Sequence, residues 1–401
     1  MATLLCTWEL GSQLGHLANL RLPIERALHA GHQVVLAARE LHRVHEVLAG
    51  LPLTLLPVPF RQQVPVLQPG QVQCYSQLIE QQAIPDAAGL ANHLQAWRSL
   101  FRYVQPDAVL FEHSPTALLA SQGTGFAKVL VGNGFTVPPA SSVAAEPWAL
   151  FPDTPRDAST RAALQREEQR IAGTVDQALT SLGWPGFSGW QAVYGGVDAR
   201  WMLSWPQLDH FGQREGQRYL GVPSVPGHMA PPWPQAGGHR VFGYLRPFPG
   251  FEALLQALLR QPLSVVLYAP MVPWAIRQKY EGPTLHFAAA PVDMTLVGQQ
   301  ADWVISHGNH STVAGWALAG RPQLVIPLHQ EHLFMALRLL QHGAAAMVYQ
   351  DQQAFDNAVR TMQESTALRQ GARALAEGMA ASIPDAAPAF LDAAWQQLLH
   401  A

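Results

Sequence analysis

The segment from Val304 to Pro327 reads VISHGNHSTVAGWALAGRPQLVIP, and it constrains the fold more than any other stretch of the chain. Residues 303–305 predict an apolar strand, and His307, Gly308, Asn309 and His310 predict a short polar turn. Ser311 and Thr312 open a helix that ends near Gly320, and residues 323–326 form a second apolar strand. Strand, turn, helix and strand in that order make a parallel crossover unit. The turn sets small residues, hydroxyls and unpaired backbone N–H groups at a helix N-terminus. Both the N–H groups and the helix dipole favour negative charge there, so an anion, above all phosphate, is the expected occupant.

The same rhythm occurs at the other end of the chain. Residues 3–8 predict a strand, 9–15 a turn and 16–30 a helix closed by Gly31 as its C′ residue, with a second strand at 33–38. Further strands are expected at 53–57, 108–111 and 128–132. Residues 201–240 are dense in Pro, Gly and Trp, which can continue neither a helix nor a central strand, and they read as a connector. The alternation then restarts with strand 240–244, helix 250–260, strands 264–268, 285–287 and 302–305, and a helical tail over 356–400. The chain holds 401 residues, too many for one ordinary core. The expected division is an N-terminal domain over 1–220, a linker over 221–239 and a C-terminal domain over 240–401. The expected class is α/β, two open parallel-sheet domains of Rossmann type facing a cleft.

Composition narrows the partners. With 48% hydrophobic and 13% charged residues the chain is that of a folded protein, and a net charge of −3 gives no basic footprint for nucleic acid. The two cysteines, Cys6 and Cys74, lack the spacing of a disulfide or metal framework. No basic region precedes the first apolar run, and no stretch has the length and apolarity of a membrane span. A cytoplasmic location is expected.

Taken together, these signals resemble the GT-B glycosyltransferases, in particular the nucleotide-sugar-dependent group that includes bacterial macrolide and plant natural-product glucosyltransferases. The resemblance is carried by His307-Gly308-Asn309-His310-Ser311-Thr312, Gly315, Gly320-Arg321-Pro322, Pro327 and Glu331-His332, and more weakly by residues 11–16 and 30–35. Three positions depart from the pattern: Asn309 stands for its second glycine, Gly315 for the glutamate that holds ribose, and Glu331-His332 for the Asp-Gln pair that reads sugar hydroxyls.

The resemblance implies a role for each of these residues. His307, Gly308, Asn309, Ser311 and Thr312, with Arg246 from the loop after strand 240–244, would hold the donor diphosphate and stabilise its departing charge. Glu331 and His332 would contact the donor sugar. His16 would be the base that takes the acceptor proton, since imidazole titrates near neutral pH. Glu112 would orient it, with His113 a rival orienter or base. Gly11, Gln13 and Phe135 would lie on the acceptor side, and Trp148 and Trp190 are further candidates for an apolar acceptor pocket. Phe287 is the candidate aromatic for the donor base.

The His307/His310 and His329/His332 pairs have the look of metal ligands, but no carboxylate cluster accompanies them, and metal-independent chemistry without a cofactor is expected. The whole reads as an inverting transferase that moves a sugar from a UDP- or dTDP-sugar, a substrate and not a cofactor, to a small or apolar hydroxyl acceptor. The alternatives are a non-catalytic sugar-nucleotide or glycan-binding protein and an epimerase or hydrolase of the same fold.

Overall fold

The computed structural model describes residues 1–11, 14–62, 72–139, 157–222, 229–236, 238–349, 354–382 and 387–400. The described chain forms two compact units, each built on its own parallel sheet. Unit 1 comprises Met1–Leu203, Arg214–Leu220 and Pro384–Ala401, and unit 2 comprises Ser204–Gln213 and Gly221–Ile383. The chain thus changes unit several times within the Pro/Gly/Trp-rich stretch, and its last helix belongs to unit 1 although unit 2 precedes it in sequence.

The sheet of unit 1 contains β1 (Thr3–Trp8), β2 (Gln33–Ala38), β3 (Leu53–Pro57), β4 (Ala108–Glu112), β5 (Ala127–Gly132) and β6 (Ala199–Met202). Their order is β3-β2-β1-β4-β5-β6, and every pairing is parallel. Strands covered on both faces must be apolar on both, so β4 is buried throughout and β1 is buried from Leu4 onward. On one face the helix Leu14–His29 directs Leu17, Leu20, Ile24 and Ala27 into the core against Leu4, Cys6 and Leu110. The last helix, Ala387–His400, completes that core with Leu391 and Trp395. Trp395 meets the edge of Trp201 at a ring distance of 4.7 Å, and its indole N–H donates to the Pro23 carbonyl at 3.3 Å. A guanidinium–carboxylate fork between Arg26 and Asp392, with one bond of 2.7 Å, fastens the same two helices.

Unit 2 repeats the plan. Its strands are β7 (His239–Tyr244), β8 (Leu263–Tyr268), β9 (Leu285–Phe287), β10 (Trp303–Ser306), β11 (Gln323–Val325) and β12 (Ala345–Met347), in the order β12-β11-β10-β7-β8-β9. Val241, Val265, Leu267 and Ile305 pack on one face, and Phe242, Val266 and Val304 pack on the other, the alternation of a sheet buried on both sides. Trp316 of the helix His310–Leu318 closes the second face, edge-on to Phe242.

Each sheet therefore starts at a central strand, runs outward to one edge, returns to the centre and runs to the other. That is the expected doubly wound α/β architecture, twice over. The reversal falls between β1 and β4 in unit 1 and between β7 and β10 in unit 2. Ligands of such sheets bind beyond the carboxyl ends of the strands at this reversal, because the chain leaves the two neighbouring strands toward opposite faces and opens a crevice.

Candidate functional site

In unit 1 the reversal brings His16 to Glu112. Trp8 and Glu112 are register partners at the ends of β1 and β4, and the helix after β1 starts at Leu14, so its first turn stands over Glu112. His16 Nδ1 lies 2.7 Å from Glu112 Oε2, and Asn19, one turn later, donates its amide to Glu112 Oε1 at 3.1 Å. Glu112 is fully buried, and only 8% of His16 is exposed. With Nδ1–H donating to the carboxylate, a neutral His16 carries its lone pair on Nε2. Gly11 makes room for that ring. Its φ is +80°, and a Cβ built there would stand 2.2 Å from His16 Nε2.

His113 follows Glu112 with φ 43° and stacks its ring on that of His16, 5.7 Å away at 28°. Burial holds His113 well below the ordinary histidine range, and the charges of His16 and Arg39 add to the effect. Phe135 is buried with its ring edge on His113 at 5.9 Å, and its carbonyl accepts from the Tyr75 hydroxyl at 2.7 Å. Gln13 and Trp148 lie outside the described residues. Trp190 does not line an open pocket: it is fully buried beside Phe187 and Tyr194, inside a short helix that the Gly/Pro-rich sequence around it conceals.

Sequence reasoning missed a second buried carboxylate beside this site. Glu9 directly follows β1, and its oxygens accept from the Thr116 N–H at 3.0 Å and the Thr116 hydroxyl at 2.6 Å. The Trp97 indole N–H donates to the same hydroxyl at 2.9 Å. Burial raises the Glu9 carboxyl to about 7, although the Thr116 bonds and Arg39 oppose it. Its position at the start of the expected turn gave it a solvated look, and the distant Thr116 was the partner no local pattern could supply.

In unit 2 the reversal brings together the loop after β7 and the turn after β10. Ser306 pairs with Tyr244 in register, so His307 and Arg246 are neighbours across the gap. The Arg246 N–H donates to His307 Nε2 at 2.9 Å, while His307 Nδ1 lies 2.9 Å from the Ile326 carbonyl. Both ring nitrogens are thus engaged by backbone. Burial lowers the His307 pKa, with Arg246 and His329 contributing in the same direction. Among the described residues no carboxylate pairs with the half-buried Arg246 guanidinium, and its charge reaches both His307 and His332.

Gly308 adopts φ +103°, and a Cβ there would come within 2.8 Å of the His332 carbonyl oxygen. The turn can therefore press against the start of the helix Gln330–Gln341 only as glycine. Asn309 is the N-cap residue of His310–Leu318 but makes no side-chain cap bond. Ser311 and Thr312 stand half-buried in the helix's first turn, which contains no acidic residue. Gly315, one turn on, is exposed, and a Cβ there would touch nothing within 4 Å.

Glu331 and His332 open the helix Gln330–Gln341. His332 is buried, its ring 6.1 Å from His307 and 3.5 Å from His329, and burial holds it well below the ordinary range. His310, the remaining histidine of the suspected metal pairs, is buried against the Ser204 hydroxyl at 2.9 Å and pushed down to about 4 by burial. Among the described residues no three His, Cys, Asp or Glu side chains gather as a metal site. Phe287 is buried, with the Arg277 guanidinium 5.7 Å from its ring centroid. In unit 2 a recess of about 270 Å³ has Pro247, Phe248, Phe251, Glu252, Val272 and Ile276 among its lining residues. No helix among the described residues is long and apolar enough to cross a membrane.

No protein-family model matches the chain, and no curated protein sequence matches it. Solved structures do. The spinosyn rhamnosyltransferase SpnG matches over 100% of both chains with a TM-score of 0.66 at 17% identity. The calicheamicin glycosyltransferase CalG4 matches over 100% of this chain and 98% of its own, with a TM-score of 0.69 at 15% identity. SsfS6, a glycosyltransferase of Streptomyces sp. SF2575, matches over 99% of this chain and 100% of its own, with a TM-score of 0.63 at 18% identity. Structures of SpnG in complex with thymidine diphosphate and with spinosyn aglycone, and of SsfS6 with thymidine diphosphate, also match. At these identities the likeness establishes the fold: each unit is a Rossmann-like domain of the GT-B type.

Proposed function

We propose that this chain is a glycosyltransferase that moves a sugar from a thymidine or uridine diphosphate sugar to a hydroxyl acceptor, with inversion and without a metal. The observation that carries the reading is the 2.7 Å contact between His16 and the buried Glu112 at the switch point of the first sheet. A histidine with Nδ1 anchored on a carboxylate is a base whose other nitrogen takes a proton, and the carboxylate balances the imidazolium that results.

In the proposed reaction the acceptor hydroxyl gives its proton to His16 Nε2 as its oxygen forms a bond to the anomeric carbon. The bond from that carbon to the diphosphate oxygen breaks on the opposite face, which inverts the configuration. Unit 2 receives the charge that leaves. The N–H groups and hydroxyls of Ser311 and Thr312 stand at a helix N-terminus, and the Arg246 guanidinium supplies positive charge from the adjoining loop. His307 serves here as the tie between that loop and β11, since both its nitrogens have backbone partners. The thymidine diphosphate complexes of SpnG and SsfS6 support the donor class, and the aglycone complex of SpnG supports a hydroxyl acceptor of apolar character.

A second reading has one observation in its favour. The open space at Gly315 means that no side chain reaches out from the helical position where the resembling family holds ribose, which suits a protein that binds a sugar nucleotide without turning it over. Titration calorimetry with dTDP and UDP, followed by transfer assays with dTDP- and UDP-hexoses on a panel of phenolic and macrocyclic alcohols, separates the two. Binding with transfer, lost in His16→Ala, supports the transferase. Binding without transfer to any alcohol supports the second reading, and no binding of either nucleotide overturns both.

A further inference from the structure

Two aromatic rings stack against the His16 ring. Trp8 does so with centroids 5.4 Å apart and planes at 22°, and His113 at 5.7 Å and 28°. The backbone that presents His113 is left-handed. Among the described residues only Gln105 and His113 combine a side chain with positive φ. Gln105 ends the helix Ala87–Val104, where its N–H bonds to Phe101 and a left-handed residue is ordinary. His113 is left-handed without ending a helix: it is buried at a strand end, and it is one of the few residue types besides glycine that visit this region with any frequency. A buried side chain kept in a sparsely populated backbone conformation beside a reacting group points to a use for that side chain.

We propose that His113 is a positioning residue: its imidazole and the Trp8 indole pack against the His16 ring, keeping Nδ1 on Glu112 while Nε2 exchanges the acceptor proton. The inference rests on the reading of His16 as the base. Three further contacts fix this packing. The His113 carbonyl accepts from the Leu10 N–H at 3.0 Å, which ties it to the chain just before Gly11. The Ser114 hydroxyl donates to the Glu112 carbonyl at 2.9 Å and holds the turn between them. The Phe135 ring meets the His113 ring in a T-shaped contact at 5.9 Å. His113 does not compete for the proton, because burial, His16 and Arg39 all disfavour its charged form. The imidazolium of His16 forms instead against the Trp8 indole, an electron-rich ring that favours a cation.

The test uses the full chain in four forms: wild type, His113→Asn, His113→Phe and His16→Ala. Asparagine keeps the left-handed backbone and removes the ring, while phenylalanine keeps a ring face and removes the nitrogens. Proton NMR of the wild type is expected to show an exchange-protected, downfield Nδ1 proton, assigned to His16 by its loss in His16→Ala. His113→Phe should retain it and His113→Asn should lose or broaden it, with no substrate required. In transfer from a dTDP-hexose, His113→Asn should lower kcat by about 10- to 100-fold with the dTDP Kd unchanged, the effect of a misplaced base, and His113→Phe should restore most of it. A His113→Asn variant that keeps both signal and turnover overturns the proposal. So does a His113→Phe variant that keeps the wild-type circular dichroism spectrum and melting temperature yet is as impaired as His113→Asn, because a nitrogen and not the ring face would then be required. Full turnover in His16→Ala would instead bring down the base reading itself, and the positioning role with it.

Discussion

Glu112 is tied to His16 from the ends of two neighbouring strands: it pairs with Trp8 in register, and its carboxylate meets His16 Nδ1 eight residues further along the chain from Trp8 at 2.7 Å. The contact exists because β1 and β4 are adjacent and the chain leaves β1 into a helix that turns back over both. Replacing His16 by alanine should therefore remove the base without touching unit 2. Turnover of a dTDP- or UDP-hexose is expected to fall by about 10²–10⁴-fold, with the nucleotide Kd within a factor of two or so of wild type by calorimetry. Equal turnover would remove His16 from the chemistry.

Glu112→Gln keeps the shape and one hydrogen-bond acceptor but loses the negative charge that balances an imidazolium. The expected outcome is a kcat loss of about 10²–10⁴-fold with a melting temperature close to wild type. A loss of structure by circular dichroism would reassign Glu112 to a purely structural role.

The glycines at the two switch points are steric requirements. Gly11→Ala would bring a Cβ within 2.2 Å of His16 Nε2, and Gly308→Ala would bring one within 2.8 Å of the His332 carbonyl, both at positive φ. Each should lower stability by about 1–3 kcal/mol in urea melts. Gly11→Ala should reduce turnover more than nucleotide affinity, and Gly308→Ala the reverse. Gly315→Glu is the contrasting case: with open space around its Cβ, it should leave stability within about 0.5–1 kcal/mol of wild type, the propensity difference at an exposed helical site.

Glu9 makes stability depend on pH. Its carboxyl rises from 4.5 when unfolded to about 7 when folded, so the folded state binds the proton more tightly. That contribution is fully present below pH 4.5 and is lost as pH rises through 7, an upper figure of about 3 kcal/mol. Urea melts of wild type and Glu9→Gln between pH 5 and 8 check it: wild type should lose stability relative to the variant as pH rises. Parallel profiles would contradict the assignment.

Much of this architecture was legible in the chain. β1, β2, β3 and β9 fall on the expected residues, because an apolar run bounded by Gly, Pro or polar turns leaves few alternatives. β6 and β12 were not legible. Both are short edge strands, β6 hidden at the entrance to a Trp/Pro-rich stretch and β12 in an alanine run, and both exist because β5 and β11 offer a free edge. The last helix carries Leu391 and Trp395 on an apolar face, but nothing in that face says which sheet it covers. Of the candidate residues, His16 and Glu112 could be paired because each follows a strand end. The stacking of His113 on His16 required a left-handed backbone that sequence does not announce, and the backbone partners of His307 required knowing that β7 and β11 flank β10.

The most direct test is a crystal structure of the protein with dTDP. The account predicts the diphosphate on the N–H groups and hydroxyls of Ser311 and Thr312, within reach of the Arg246 guanidinium. A diphosphate bound at any other place on unit 2, or a helix N-terminus left vacant at saturating nucleotide, would contradict it.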